Sequence, residues 1–171
     1  TLGGLAGAGT IKADGGAGHL PFGGGAGGGR ISVTYQSNSF TGTYSAKGGA
    51  GFGNGGAGTI YLRNGQFQPT FIADNAGLPG NSTPLDLNEL LELRVLGGAF
   101  LTSTISSTLT VSNLTVGTNA GMSNGAFASP LRINVSGNAT IAGTLSAVGS
   151  LQGTGSGAGS QFERFVLRGV G

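Results

Sequence analysis

The chain has 171 residues, 38 of them glycine and only 8% charged, with a net charge of +2. It has no cysteine, which removes disulfides, zinc–thiolate sites, iron–sulfur clusters and cysteine nucleophiles together. Eight scattered basic residues make no case for a nucleic-acid groove, and no apolar run reaches the roughly 18 residues that a spanning helix needs.

Disorder goes with low hydrophobicity and high net charge. Here charge is scarce and Ile, Val, Leu, Phe and Tyr recur in short runs, so an ordered, strand-rich chain is expected. Low charge with abundant Gly, Ser, Thr and Asn and no Cys or Trp resembles bacterial secreted or surface proteins, and by that analogy an extracellular or cell-surface protein is expected. The first residue is Thr1, from which we expect a processed or excised piece of a longer product. Two regions are expected, a glycine-rich β-repeat over 1–80 and a Thr/Ser/Asn-rich β-repeat over 81–171 ending in a strand, together one continuous solenoid.

Along the chain, the first predicted strand opens Thr10-Ile11-Lys12-Ala13-Asp14-Gly15. Its form is Thr, large apolar, any, Ala, any, then Gly or Asn. It recurs at Thr43, Thr70 and Thr144, the first three copies lying 33 and 27 residues apart. Such spacings indicate stacked supersecondary units. Arg30-Ile31-Ser32-Val33, Gly58-Thr59-Ile60-Tyr61-Leu62 and Arg132-Ile133-Asn134-Val135 form a second recurring segment. The unit therefore reads as strand, short polar bend (Gln36 to Ser39 in one copy), strand and glycine-rich loop. The glycine blocks 23–29 and 48–58 read as recurring corners.

Within these strands the apolar period is two, as in Ile31, Val33 and Tyr35, or Leu131, Ile133 and Val135. Alternate side chains face opposite sides of a strand, so each has one apolar and one polar face. Leu91-Glu92-Leu93-Arg94-Val95 reads as a strand, with a helical turn within 84–96 as the alternative. In LTSTISSTLTVSNLTV, β-branched Thr alternates with Leu, Ile and Val, and the parity shifts near Asn113, which marks a bend or bulge.

Glycine content and the missing 3.6-residue period exclude long helices. The expected fold is all-β, a parallel β-helix or β-solenoid with glycine-rich loops. Ile11, Tyr44, Phe71 and Leu145 would form an inner stack. Ala13, Ala46, Ala73 and Ala147 would sit where the coil is tight. An antiparallel β-sandwich is the alternative. A glycine-rich polyproline-II bundle is set aside because Gly does not recur strictly every third residue.

The segments GGGAGGGRISV, SFTGTYSAKGGAG, GGAGTIYL and LRINVSGNATIAGTLSAVG resemble the glycine-rich β-helical repeats of large bacterial extracellular proteins, adhesin-like and autotransporter-passenger-like. That resemblance implies a surface or matrix role, often without catalysis.

Candidate chemistry is sparse, and neither an enzyme nor a cofactor or metal is expected. Glycine strings such as 51–56 lack the following helix that a dinucleotide site requires, and no Lys-Ser or Lys-Thr ends a P-loop. His19, the single histidine, lacks the partners of a triad or a metal site and reads as a solvated loop residue, with Asp14 the nearest acid. Asp86, Glu89 and Glu92 could serve as a glycosidase pair or a calcium site, but read as the polar face of an edge strand. Thr10, Thr43, Thr70, Thr102, Thr104, Thr108, Thr110 and Thr144 are expected on an outer face that stacks or takes a ligand. Asn81, Asn113, Asn134 and Asn138 are possible glycosylation sites. Phe162, Phe165, Val166 and Leu167 are the candidate assembly strand. The expected partner is a second copy of the chain, in an oligomer or filament, with glycans or surfaces as further partners and no nucleic acid or membrane span. The leading expectation is a structural fibre subunit or adhesin-type repeat assembling by strand stacking. A carbohydrate-binding module on the Thr/Asn face comes next, and a polysaccharide-cleaving enzyme last.

Overall fold

The structure, a computed structural model, describes residues 2–87, 89–104, 108–125, 131–146, 148–153, 161–162 and 167–168. Among these there is no helix. The strands are β1 (Leu2–Gly7), β2 (Thr10–Lys12), β3 (Arg30–Phe40), β4 (Thr43–Ser45), β5 (Thr59–Asn64), β6 (Thr70–Asp74), β7 (Ser82–Leu85), β8 (Glu92–Leu96) and β9 (Phe100–Ser103). They continue as β10 (Thr108–Val111), β11 (Asn113–Val116), β12 (Gly121–Asn124), β13 (Leu131–Val135), β14 (Ala139–Ile141), β15 (Thr144–Ser146), β16 (Val148–Gly153), β17 (Gln161–Phe162) and β18 (Leu167–Arg168).

Four sheets hold them. The largest has the order β1-β3-β5-β6-β8-β11-β14-β17; a five-stranded sheet runs β18-β15-β12-β9-β7; a three-stranded one runs β10-β13-β16; and β2 pairs with β4. From β8 onward the chain visits the eight-, five- and three-stranded sheets in that order and then begins again. Partner strands there lie between 17 residues (Leu131 opposite Val148) and 25 residues (Leu114 opposite Ala139) further on. Near the N-terminus the offsets are 33 (Thr10 opposite Thr43) and 29 (Arg30 opposite Thr59). All described pairings are parallel except β5 with β6, so the antiparallel sandwich is not the fold.

The alternation read from the sequence is the burial pattern. In β13, Leu131, Ile133 and Val135 are buried, Arg132 is exposed and Asn134 lies between. The parity shift near Asn113 is a corner at buried Ser112, where β10 of one sheet gives way to β11 of another. The helical alternative over 84–96 gives way to the end of β7 and to β8, with no helix among the described residues between them. Copies of the Thr-led repeat at Thr10 and Thr43 stack directly, with Ile11 opposite Tyr44. Phe71 instead pairs with Leu93, and Leu145 with Met122, so the four residues form no single stack. The bend expected over Gln36 to Ser39 is absent. β3 runs straight through it because β1 offers a partner, with Leu2 opposite Tyr35 and Gly7 opposite Phe40.

Two cores lie on opposite faces of the eight-stranded sheet. Ile31 and Ile60 are buried with Ala46, against Ile11, Val33, Tyr44, Leu62 and Ile72. Phe71, Ala73, Leu93, Val95, Leu114, Val116, Ala139 and Ile141 belong to the larger core, with Tyr61 packed against it. In the antiparallel β5–β6 pair, Ile60 faces Ile72 and Tyr61 faces Phe71. Neighbours along a strand point to opposite sides, so the β5–β6 hairpin is where the buried side of the sheet changes over.

The glycine blocks are neither corners nor linkers. Residues 13–18, 23–29, 46–51 and 53–58 are four arms outside any strand, joined by backbone hydrogen bonds; those made by 23–29 and 53–58 to each neighbouring arm recur every third residue. Gly25 and Gly28 N–H donate to the carbonyls of Gly53 (2.8 Å) and Gly56 (2.9 Å). Ala26 and Gly29 donate to Gly16 and Ala13, Gly49 and Phe52 to Ala26 and Gly23, and Gly55 and Gly58 to Gly49 and Ala46. A three-residue repeat in extended chain is that of polyproline II. In this period the arms match the bundle set aside from the sequence, within the N-terminal half. Strict Gly-x-x spacing is unnecessary because only positions facing a neighbouring arm must be glycine. A Cβ on Gly25 would lie 1.9 Å from the Gly49 carbonyl oxygen, and one on Gly58 1.9 Å from that of Gly29. At Gly24 and Gly27 the nearest atom would be 3.8 and 3.9 Å away.

Asn75 ties the arms to the strands. Its side chain is fully buried; its Oδ1 accepts from Gly48 N–H (2.6 Å), and its Nδ2 donates to the carbonyls of Leu78 (2.6 Å) and Gly55 (3.2 Å). Asp14 ties the first arm to the second copy of the repeat, accepting from the Ser45 hydroxyl and Lys47 N–H (3.2 Å) and pairing with Lys12 (3.2 Å).

Candidate functional site

The changeover at the β5–β6 hairpin leaves a cleft. On the side of the sheet that carries the larger core, β3 and β5 present Arg30, Ser32, Thr59 and Tyr61, where strands further along present Leu and Val. The chain leaving β7 covers this end of the core only in part. The result is a cleft of about 350 Å³ between Arg30, Ser32, Thr59, Tyr61 and Phe71 on one wall and Pro84, Asp86, Leu87 and Glu89 on the other. A second groove of about 330 Å³ shares Arg30, Thr59 and Pro84 with it and runs on along Gly25, Gly27, Gly28 and residues 55–58, past Asn81, Ser82 and Thr83.

The Tyr61 hydroxyl donates to Glu89 Oε1 (2.8 Å) across the cleft. Burial, and then this carboxylate, push the tyrosine above its ordinary range. The Asp86 carboxylate accepts from Thr104 (3.4 Å). Glu92 stands apart in the middle of the eight-stranded sheet, beside Thr70 (3.4 Å) and Arg94 (3.9 Å). The three acids therefore do not share an edge strand. Only Asp86 and Glu89 line the cleft. Among the described residues no group of three His, Cys, Asp or Glu is placed to hold a metal ion, and no helix is long and apolar enough to cross a membrane.

Seven of the eight threonines fall in four sheets. Thr10 and Thr43 are paired neighbours whose hydroxyls hydrogen-bond (3.1 Å). Thr70 is in the eight-stranded sheet, Thr102 and Thr144 are in the five-stranded sheet, and Thr108 and Thr110 are in the three-stranded sheet. Thr104 follows β9 and donates to the Leu85 carbonyl (2.9 Å). Asn81 and Asn138 are exposed, whereas Asn113 and Asn134 are half-buried and Asn113 Oδ1 accepts from Asn138 N–H (2.9 Å). Phe162 and Leu167 lie in the last strands of the eight- and five-stranded sheets, opposite Ile141 and Leu145. Phe165, Val166, Ala147, Ile105 and Ser106 lie outside the described residues.

His19 is exposed where the first two arms join. Leu20 and Phe22 beside it, and Phe52 where the next two arms join, are 71%, 83% and 78% exposed. The Phe52 N–H bond to Gly23 (2.9 Å) places these two ends together.

Sequence reasoning passed over Arg30, Tyr61 and Phe71 as site residues. The available signal was Tyr61, a large aromatic on the face of β3 and β5 where Ser32 and Thr59 are small and polar. Comparison with protein-family models, curated proteins and solved structures returns no match to this chain.

Proposed function

We propose that this chain is a structural module of an extracellular or cell-surface polymer, a parallel β-solenoid that assembles by stacking strand edges. The observation that carries this reading is the edge itself. β1 is the outermost strand of the eight-stranded sheet, and all its side chains are exposed except half-buried Leu5. β17 closes the same sheet at the far end. A strand edge offers a row of unpaired backbone donors and acceptors to another chain. The recurring visit to three sheets, always in parallel pairing, supports the solenoid, since it is what successive coils would produce. Low charge, with few of the edge lysines that block such pairing, favours growth into filaments.

Negative-stain electron microscopy and light scattering of the purified chain test this. Filaments or a concentration-dependent ladder of oligomers are expected. Leu2→Lys with Ala6→Lys in β1, or removal of residues 160–171, shortens or abolishes them. A monodisperse monomer at every concentration would refute the proposal.

A further inference from the structure

We infer that the cleft between β3, β5, β6 and the residues Pro84, Asp86, Leu87 and Glu89 binds a neutral linear polysaccharide. Its walls alternate two kinds of surface. Tyr61, Pro84 and Leu87, beside buried Phe71, offer apolar and aromatic area suited to the C–H faces of a sugar ring. Between them, Arg30, Ser32 and Thr59 supply donors, while Asp86 and Glu89 supply acceptors. Sugar hydroxyls donate and accept from one atom, so they can satisfy both sets at once.

Charge narrows the class. Arg30 in the cleft and Arg63 beside Tyr61 balance Asp86 and Glu89, so the cleft carries no net charge to draw in polyuronates, sulfated chains or nucleic acid. Shape narrows it further. A cleft of about 350 Å³ is at the small end of ligand pockets, but it opens through Arg30, Thr59 and Pro84 into the second groove. That groove is floored by glycine backbone and edged by Asn81, Ser82 and Thr83, a path for a chain rather than a pit for one sugar. The Tyr61–Glu89 hydrogen bond fixes the ring and the carboxylate before any ligand arrives, which lowers the ordering cost of binding.

The test is isothermal titration calorimetry of the full chain with neutral β-linked hexasaccharides of glucose, mannose and N-acetylglucosamine. A hexauronate serves as the acidic comparator. At least one neutral probe binds, and Arg30→Ala or Asp86→Asn weakens it about tenfold or more. Both residues are exposed, so these changes leave the two cores intact. Thr140→Ala, on the exposed side of β14, leaves binding unchanged. No binding of any neutral probe, preference for the uronate, or binding that survives both cleft substitutions would overturn the inference. Filament formation is read separately, so either idea can fail alone.

Discussion

Replacing Gly25 by alanine sets a single methyl group against the glycine bundle. The added Cβ would lie 1.9 Å from the Gly49 carbonyl oxygen and 2.5 Å from its carbon. Relief to ordinary contact moves one arm by roughly 1.5 Å, more than a hydrogen bond tolerates. Three bonds lie in the path: Gly25 to Gly53 (2.8 Å), Ala26 to Gly16 (2.9 Å) and Gly49 to Ala26 (2.8 Å). At about 0.5–1.5 kcal/mol each, with about 1–3 kcal/mol for overpacking and a small gain from a stiffer unfolded chain, the net loss is about 3–5 kcal/mol. Gly27→Ala, two residues along, meets nothing closer than 3.9 Å and has no positive φ. It should stabilise by about 0.4–1 kcal/mol. Denaturant titration followed by circular dichroism measures both, and melting temperatures should fall by about 8–15 °C for Gly25→Ala and rise by a few degrees for Gly27→Ala. Equal effects at the two positions would refute the packing argument, because the substitutions are chemically identical.

Asn75→Ala leaves Gly48 N–H and the Gly55 carbonyl buried without their partner, and should cost about 2–4 kcal/mol; hydrogen exchange at the Gly48 amide should accelerate with it. Asp14 is held below the usual carboxylate range, first by the Ser45 hydroxyl, so its contribution is complete above the unfolded value of 3.8 and is lost as pH falls through the lower folded value. Acid titration of stability should show this loss, and Asp14→Asn should flatten it. Tyr61 is shifted upward, so its contribution holds below the unfolded value of 10.0 and is lost as pH rises through the folded one. Ultraviolet titration should show a late-ionising tyrosine that Glu89→Gln shifts back toward its ordinary value.

Much of the strand pattern was legible. Segments beginning at Arg30 and at Thr59 stack in register, β8 covers Glu92–Leu96, and the parity shift at Asn113 is a true corner. These follow from side-chain alternation, which a sequence displays directly. The glycine arms were misjudged because their rule concerns which positions face a neighbour, and that depends on how four distant segments meet. The hairpin was missed although its turn signal was present: Asn64-Gly65 follows one apolar run and precedes another, and Asn64 Oδ1 accepts from Gln66 N–H (3.1 Å). The cleft was illegible for the same reason, since it exists only because the buried side of the sheet changes at that hairpin. Arg30 and Tyr61 then face a partly covered space instead of solvent.

That changeover also sets the symmetry of any polymer. β1, β3 and β5 run one way with their core on one side, whereas β6, β8, β11, β14 and β17 run the other way with their core on the opposite side. A copy added by simple translation would meet β1 with an antiparallel β17, its core on the wrong side. Half a revolution about the stacking axis reverses both direction and side, and makes the joint parallel with an unbroken interior. A filament built this way is a two-fold screw, whose axial repeat in a diffraction pattern is two copies long rather than one.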